Sequence, residues 1–228
     1  MTEFTTWRSL VDGARIGDIP DSVVLLDDWA DGKLTSDRDD FNDTEFSGTE
    51  STLVDDGSSG SIQRPEWTVD NGSPSVSDGL LQLSQDESVR TNFDVSSIDN
   101  YTWEFKIDDA ANFAGLNITA NSSSQRGGNR SYTDGYNIRI ESDGSINFRV
   151  NDGDSISTLI EGTEASYPEV VRIEVDDSGN WEMYQNDESQ GTTQDSTFAE
   201  SDWIGVWAQD DDSDDSIDLD WFVIDDGT

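Results

Sequence analysis

The stretch Tyr101-Thr102-Trp103-Glu104-Phe105-Lys106-Ile107 puts an aromatic or aliphatic side chain at every second position. A period of two belongs to a strand with one buried face, so Tyr101, Trp103, Phe105 and Ile107 are expected on that face. Upstream, Trp67-Thr68-Val69 precedes a turn at Asn71-Gly72, Leu80, Leu81 and Leu83 follow Asp78-Gly79, and 89–95 reads as a strand. Downstream, strands are expected over 113–119, 136–140, 146–150, 156–160, 170–175, 181–184, 203–208 and 217–224. Ser142-Asp143-Gly144, Asn151-Asp152-Gly153 and Asp177-Ser178-Gly179 punctuate them as turns. Roughly a dozen short strands, spaced about 8–12 residues apart with no convincing helix among them, predict an all-β fold, an antiparallel β-sandwich or barrel.

Composition narrows the chemistry. The 228 residues hold 51 acidic and 12 basic side chains, a formal charge of −39, with no Cys and no His. That excludes disulfides, zinc sites of the Cys/His type, and Ser-His-Asp or Cys-His nucleophiles. It also predicts no binding to the phosphate backbone of nucleic acid. No apolar run reaches the roughly 18 residues of a membrane span. The start, TEFTTWRSLVDG after Met1, lacks the basic and apolar segments of a secretory signal. Neither membrane insertion nor secretion through such a signal is expected. Eight Trp, nine Phe and five Tyr argue for a folded chain despite the charge.

Only Lys33 and Lys106 are lysines, and Asp outnumbers Glu throughout. Self-repulsion of this size opposes compaction at low salt. At about 1 M salt the Debye length falls to about 3 Å and the repulsion is screened. The composition resembles that of proteins from halophilic archaea and their viruses. An acidic calcium-binding protein from a low-salt setting is the alternative.

Three regions follow from the pattern. Residues 1–26 form a short N-terminal arm in which Trp7, Leu10 and Val11 share one face of a two-turn helix ending at Gly13. Such an arm docks on another surface or packs on its own domain. Residues 27–66 are a loop-rich connector with a first strand near Asp39-Asp40-Phe41, and 55–61 has linker composition. Residues 67–228 are the β-sandwich.

The ordered pieces resemble the concanavalin A-like lectin/glucanase superfamily, including laminin-G-like modules. Asp39-Asp40-Phe41, Trp67-Thr68-Val69 and Asp78-Gly79-Leu80 resemble its opening, and Tyr101 to Ile107 its F-E-F-K-I strand. Gly135-Tyr136-Asn137-Ile138 is similar to its G-Y-x-I strand. Val171-Arg172-Ile173-Glu174-Val175 with Trp181-Glu182-Met183-Tyr184-Gln185-Asn186 is similar to its V-R-I hairpin. Trp203 to Trp207 and Ile217 to Val223 resemble its closing strands. The resemblance covers about residues 38–225 and implies a jelly-roll sandwich; that fold hosts lectins, hydrolases and structural modules alike. Separately, Trp7-Arg8-Ser9-Leu10-Val11-Asp12-Gly13 with Ile19-Pro20-Asp21-Ser22 resembles structural proteins of haloarchaeal tailed viruses. It implies an arm that fastens a β-rich module to the particle.

Carboxylates are the only catalytic apparatus available, and laminarinase-type relatives use Glu-x-Asp-x-x-Glu on one strand. Here Glu174-Val175-Asp176 runs into the turn Asp177-Ser178-Gly179, so the second Glu is missing and no enzyme is expected. Calcium is the one cofactor considered: Asp210, Asp211, Asp212 and Asp214 offer hard oxygen ligands, although a solvated acidic loop explains them as well. Trp103, Trp181 and Trp221 are expected in the core. Trp203 and Trp207 share a strand face with Gly205 between them, and core packing is favoured for them over a sugar platform. Arg126, Arg130, Tyr132 and Tyr136 are the candidates for holding an anionic glycan. The Asn117-Ile118-Thr119, Asn121-Ser122-Ser123 and Asn129-Arg130-Ser131 sequons decide nothing in so polar a chain.

The resulting expectation is a structural or adhesion module of a haloarchaeal tailed-virus particle: a capsid turret, decoration or tail-fibre protein. It would assemble in the host cytoplasm, act as a homo-oligomer, join other virion proteins through the arm, and bind host surface glycan. The alternative is a carbohydrate-binding or glycan-hydrolysing protein of a halophilic archaeon.

Overall fold

The alternation at residues 101–107 becomes the central strand of one of two sheets. The structure, a computed structural model, describes residues 23–27, 52–53, 62–63, 67–77, 80–121, 134–153, 155–209 and 215–226. Every element among them is a strand. In chain order these are β1 (Val23–Asp27), β2 (Thr52–Leu53), β3 (Ile62–Gln63), β4 (Thr68–Asn71), β5 (Ser75–Ser77) and β6 (Leu80–Leu83). Next come β7 (Ser88–Val95), β8 (Thr102–Ala111), β9 (Ala114–Ala120), β10 (Gly135–Ile140), β11 (Ser145–Asp152) and β12 (Ser155–Glu164). The last five are β13 (Glu169–Val175), β14 (Asn180–Gln185), β15 (Glu188–Gln194), β16 (Ser201–Ala208) and β17 (Ser216–Asp225). Among the described residues no helix is long and apolar enough to cross a membrane.

The strands form an antiparallel β-sandwich. The ten-stranded sheet runs β15-β14-β13-β8-β17-β1-β3-β2, with β6 pairing β17 and β5 outside it. Only the β1–β3 contact in it is parallel. The seven-stranded sheet runs β12-β11-β10-β9-β16-β7-β4. Side chains at alternate positions of the two inner faces meet in one core, including Trp103, Phe105 and Ile107 from β8 and Tyr136, Ile138 and Ile140 from β10. Its centre is aromatic: Trp181 stacks on Trp103 at 5.9 Å and lies 4.4 Å from Tyr136 and 5.1 Å from Phe148, centroid to centroid. Rings of this size supply much of the buried apolar area of so acidic a chain.

Several expectations change. β1 pairs with the end of β17, so Val23–Leu26 belong to the sandwich and not to the arm. Trp7, Leu10, Val11 and the Asp39-Asp40-Phe41 segment lie outside the described residues. Trp103 and Trp181 are core residues, as expected. Trp221 is 5% exposed but stands outside the inter-sheet core, because Phe222 and Ile224 take the inward positions at that end of β17. Trp203 and Trp207 are likewise buried on the outward side of β16, whose inward positions are Ile204, Val206 and Ala208.

Candidate functional site

The outward face of the seven-stranded sheet is assembled from the polar halves of ordinary strand alternations. One cross-strand row runs Glu161, Asn147, Arg139, Gly115, Trp207, Ser88 and Asn71. The next runs Arg149, Asn137, Asn117, Gly205, Arg90 and Thr68. The second row contains no carboxylate and the first only Glu161 at its β12 edge, in a chain that carries 51 of them. The corresponding face of the ten-stranded sheet presents Glu104, Glu174 and Glu182 around Arg172, whose Nε lies 2.8 Å from Glu174 and whose guanidinium stacks on Tyr184 at 4.0 Å.

Two glycines let the indoles lie down on the sheet. An ideal Cβ on Gly115 would fall 2.1 Å from the Ile138 carbonyl oxygen and 2.9 Å from Trp207 Cζ2. One on Gly205 would fall 2.8 Å from the Val89 carbonyl oxygen and 3.0 Å from Trp203 Cζ3. Each ring therefore rests where a side chain would otherwise stand. The floor is deep: Trp207 is 1% exposed, and Asn117, Asn137 and Ser88 are 2% each. Among the described residues Asn137 Nδ2, Trp207 Nε1 and Ser88 Oγ have no hydrogen-bond partner. A buried donor without an acceptor costs about 1–3 kcal/mol, so a cluster of them calls for an occupant.

The rim is more open and charged. Arg139 Nε approaches Glu141 Oε2 at 3.4 Å and Arg149 Nη1 approaches Glu141 Oε1 at 3.2 Å, so one carboxylate serves two guanidiniums. Arg139 also lies 4.5 Å above the Phe113 ring. At the other end Arg90 pairs with Asp70 at 3.2 Å and sits 5.9 Å over Trp203.

The sequence-derived site residues fare unevenly. Tyr136 is not a surface aromatic: it is 0% exposed, and its hydroxyl donates to Asp195 Oδ1 beneath Phe198. Burial and that carboxylate push its phenol well above the ordinary range. It cannot stack on a sugar without opening the core. Arg126, Arg130 and Tyr132, and the candidate calcium ligands Asp210, Asp211, Asp212 and Asp214, lie outside the described residues. Among the described residues no group of three or more acidic side chains is placed to hold a metal ion. The neighbouring Asp215 is 1% exposed and accepts from the Phe113 amide. Glu174 lines a depression of about 450 Å³ on the ten-stranded sheet together with Glu182, Asp176 and Asp226. Asn117, Asn137, Arg139 and Arg149 were missed, although Asn-x-Arg recurs at 137–139 and 147–149 where acidic residues would be the norm for this chain.

No family model and no curated protein matches the chain. Solved structures do. The likeness is one of fold, an antiparallel β-sandwich. The chain is similar to the receptor-binding domain of the botulinum neurotoxin C/D mosaic serotype, with a TM-score of 0.56 and 16% identity over 91% of this chain and 48% of that one. It is similar to the potassium-bound carbohydrate recognition domain of Emp46p, with a TM-score of 0.53 and 14% identity over 71% of this chain and 89% of that one. A prokaryotic β-1,3-1,4-glucanase (lichenase) derived from a mouse hindgut metagenome gives a TM-score of 0.53 and 12% identity over 70% and 92%. At these identities the likeness concerns architecture, and function has to be argued from the site.

Proposed function

We propose that this chain is a glycan-binding module that works in molar salt, and that the outward face of its seven-stranded sheet is the binding surface. The observation that carries this reading is the row from Arg149 to Thr68 without a carboxylate, beside flat-lying indoles and buried N–H donors, in a chain of net charge −39. Carboxylates spread over the rest of the surface suit brine, whereas this face suits a polyhydroxylated ligand. Hydroxyls that reach its floor accept from Asn137 and Trp207, while the indoles, 1% and 3% exposed, shape that floor and offer no stacking face. Carbohydrate recognition by a domain of similar fold supports it by analogy.

The reading is of binding without cleavage. A glycosidase needs two carboxyl groups about 5–9.5 Å apart across the scissile bond. The two rows supply only Glu161, at the β12 edge, and Glu141 beside them is held by two arginines.

We further propose that the module belongs to a haloarchaeal tailed-virus particle, as a turret, decoration or fibre component, with residues 1–22 as its attachment arm. The Trp7/Leu10/Val11 pattern and the salt-adapted composition support that setting. Retention on immobilised glycans in about 2 M NaCl, with and without calcium, tests the first proposal. Wild-type chain should be retained, and Trp203→Ala should lose retention at least about tenfold. Equal retention of that variant, or none by the wild type, would refute it. For the arm, mass-resolved size of the full chain against one starting at Val23 should show self-association or particle incorporation only in the former.

A further inference from the structure

We infer that the root of the arm, residues 14–22, lies back across the outward face of the ten-stranded sheet and seats Arg15 between Glu174 and Glu182. The inference goes beyond the glycan-binding reading and concerns the other side of the sandwich. There Glu104, Trp221 and Val223 take outward positions, alternating with the core residues Trp103, Phe105, Phe222 and Ile224. They are nevertheless only 4%, 5% and 3% exposed. The described strands packed on β17 are its sheet neighbours β1, β6 and β8 and, through the core, β9 and β16. Among the described residues, then, no strand lies over that face, and a face this dry needs a cover from the rest of the chain.

A depression of about 450 Å³ opens beside the covered row. Register builds it: Thr102, Glu174, Glu182 and Thr192 are successive cross-strand partners over β8, β13, β14 and β15. Asp176 and Asp226 line the same depression. Glu174 and Glu182 stand directly opposite each other, a placement that destabilises a sheet unless a cation lies between them. Arg172, on the same sheet face, is divided among Glu174 at 2.8 Å, Asp187 at 3.2 Å and Glu104 at 3.7 Å. Arg90, Lys106, Arg139 and Arg149 are each paired elsewhere. A further guanidinium has to come from outside the described residues.

Strand register also selects the segment that supplies it. Val23 pairs with Asp225, and Asp225 with Thr102, so the chain enters β1 level with the depression. It leaves β1 at Asp27, opposite Phe222 and farther along the sheet. The preceding segment, 14–22, is therefore better placed than the following one. From β1 to β14 is four strand spacings, about 19 Å, and the eight residues from Arg15 to Val23 reach about 26 Å when extended. Ile16 and Ile19 in that stretch supply apolar side chains for Trp221 and Val223. Molar salt screens exposed pairs within about 3 Å, so enclosure in the depression, and not the general acidity, selects the place. Trp7, Leu10 and Val11 remain beyond Arg15 for the particle.

The chain has no Cys, so a pair introduced into the full-length protein is unique. Under mild oxidation in about 2 M NaCl, Ala14→Cys with Thr192→Cys should form an intramolecular disulfide at least about tenfold faster than Ala14→Cys with Thr158→Cys on β12. Arg15→Gln should bring the two rates to within about twofold, and Arg15→Lys should keep part of the difference. Carbodiimide coupling to the chain without introduced cysteines gives a second readout: Glu174 and Glu182 should react several-fold faster in Arg15→Gln than in the wild type. Equal rates for the two cysteine pairs, disulfides formed only between molecules, no disulfide at all, or carboxyl reactivity indifferent to Arg15→Gln would overturn the inference. The glycan-binding reading stands or falls separately, by retention on immobilised glycans, because Arg15 is no part of the face it invokes.

Discussion

Gly115 and Gly205 show how single residues shape the candidate site. Both sit at outward positions where this sheet elsewhere carries Asn, Arg or Ser, and both are covered by an indole. The obstacle to a side chain differs between them. At Gly115 the nearest atom to an added Cβ is a backbone oxygen at 2.1 Å, which cannot move without breaking the β9–β10 ladder. At Gly205 the nearest backbone oxygen is at 2.8 Å and the ring atom at 3.0 Å, so a small shift suffices. Gly115→Ala should therefore cost the larger part of the about 1–3 kcal/mol typical of overpacking, and Gly205→Ala clearly less. Thermal unfolding of the two variants measures the difference, and a reversed order would contradict the packing described here. Tyr136 makes the complementary point. A tyrosine beside a loop resembles a sugar platform in sequence, but its place in the period-two pattern of 136–140 sends it inward with Ile138 and Ile140.

Among the elements, the ten-stranded sheet carries the two carboxyls that burial holds above their ordinary range. Burial, against the opposing pull of Arg172, holds the Glu174 carboxyl above the usual carboxylate range. Burial, with Asp109 and Asp108 nearby, does the same at Asp218. A folded state that holds protons more tightly than the unfolded chain is stabilised below the unfolded pKa, and loses that stabilisation as pH rises through the folded value. Asp143 and Asp176 behave oppositely: hydrogen bonds from Ser145 and from Asn180 lower their pKa values, so their contribution is present at neutral pH and is lost only in acid. Lowering the pH from 7 to about 4.5 at fixed molar salt should accordingly raise Tm, with the trend reversing at lower pH. Glu174→Gln should flatten the rise. A Tm that falls steadily from pH 7 would show that these carboxyls do not dominate. β15 belongs to this scale as well: Glu188-Ser189-Gln190-Gly191-Thr192-Thr193-Gln194 has no apolar residue, yet it is a strand because β14 offers its free edge and Asn186-Asp187 turns the chain back with positive φ.

For the whole molecule, net charge sets the conditions of folding. With −39 distributed over one sandwich, raising NaCl from about 0.1 to 2 M should raise Tm, and an uncharged osmolyte at matched osmolality should do less. Differential scanning calorimetry in the two series measures this; a Tm independent of salt would count against adaptation to brine. The same charge makes the composition of the seven-stranded face informative, because a cross-strand row without a carboxylate, from Arg149 to Thr68, stands out in so acidic a chain.

Strand positions, the antiparallel sandwich and the aromatic core were legible in the chain alone, because period-two alternation and turn residues are local properties that survive in any all-β arrangement. Trp103, Phe105, Ile107 and Trp181 could be placed inside on that basis. Which outward residues become neighbours was not legible. Asn137, Arg139, Gly115 and Trp207 are separated by up to 92 positions and meet only through the β10-β9-β16 register. For the same reason Trp203, Trp207 and Trp221 could be recognised as buried but not assigned to a face. Alternation says that a side chain is on one side or the other of a strand, and only the pairing of sheets decides which side is the core.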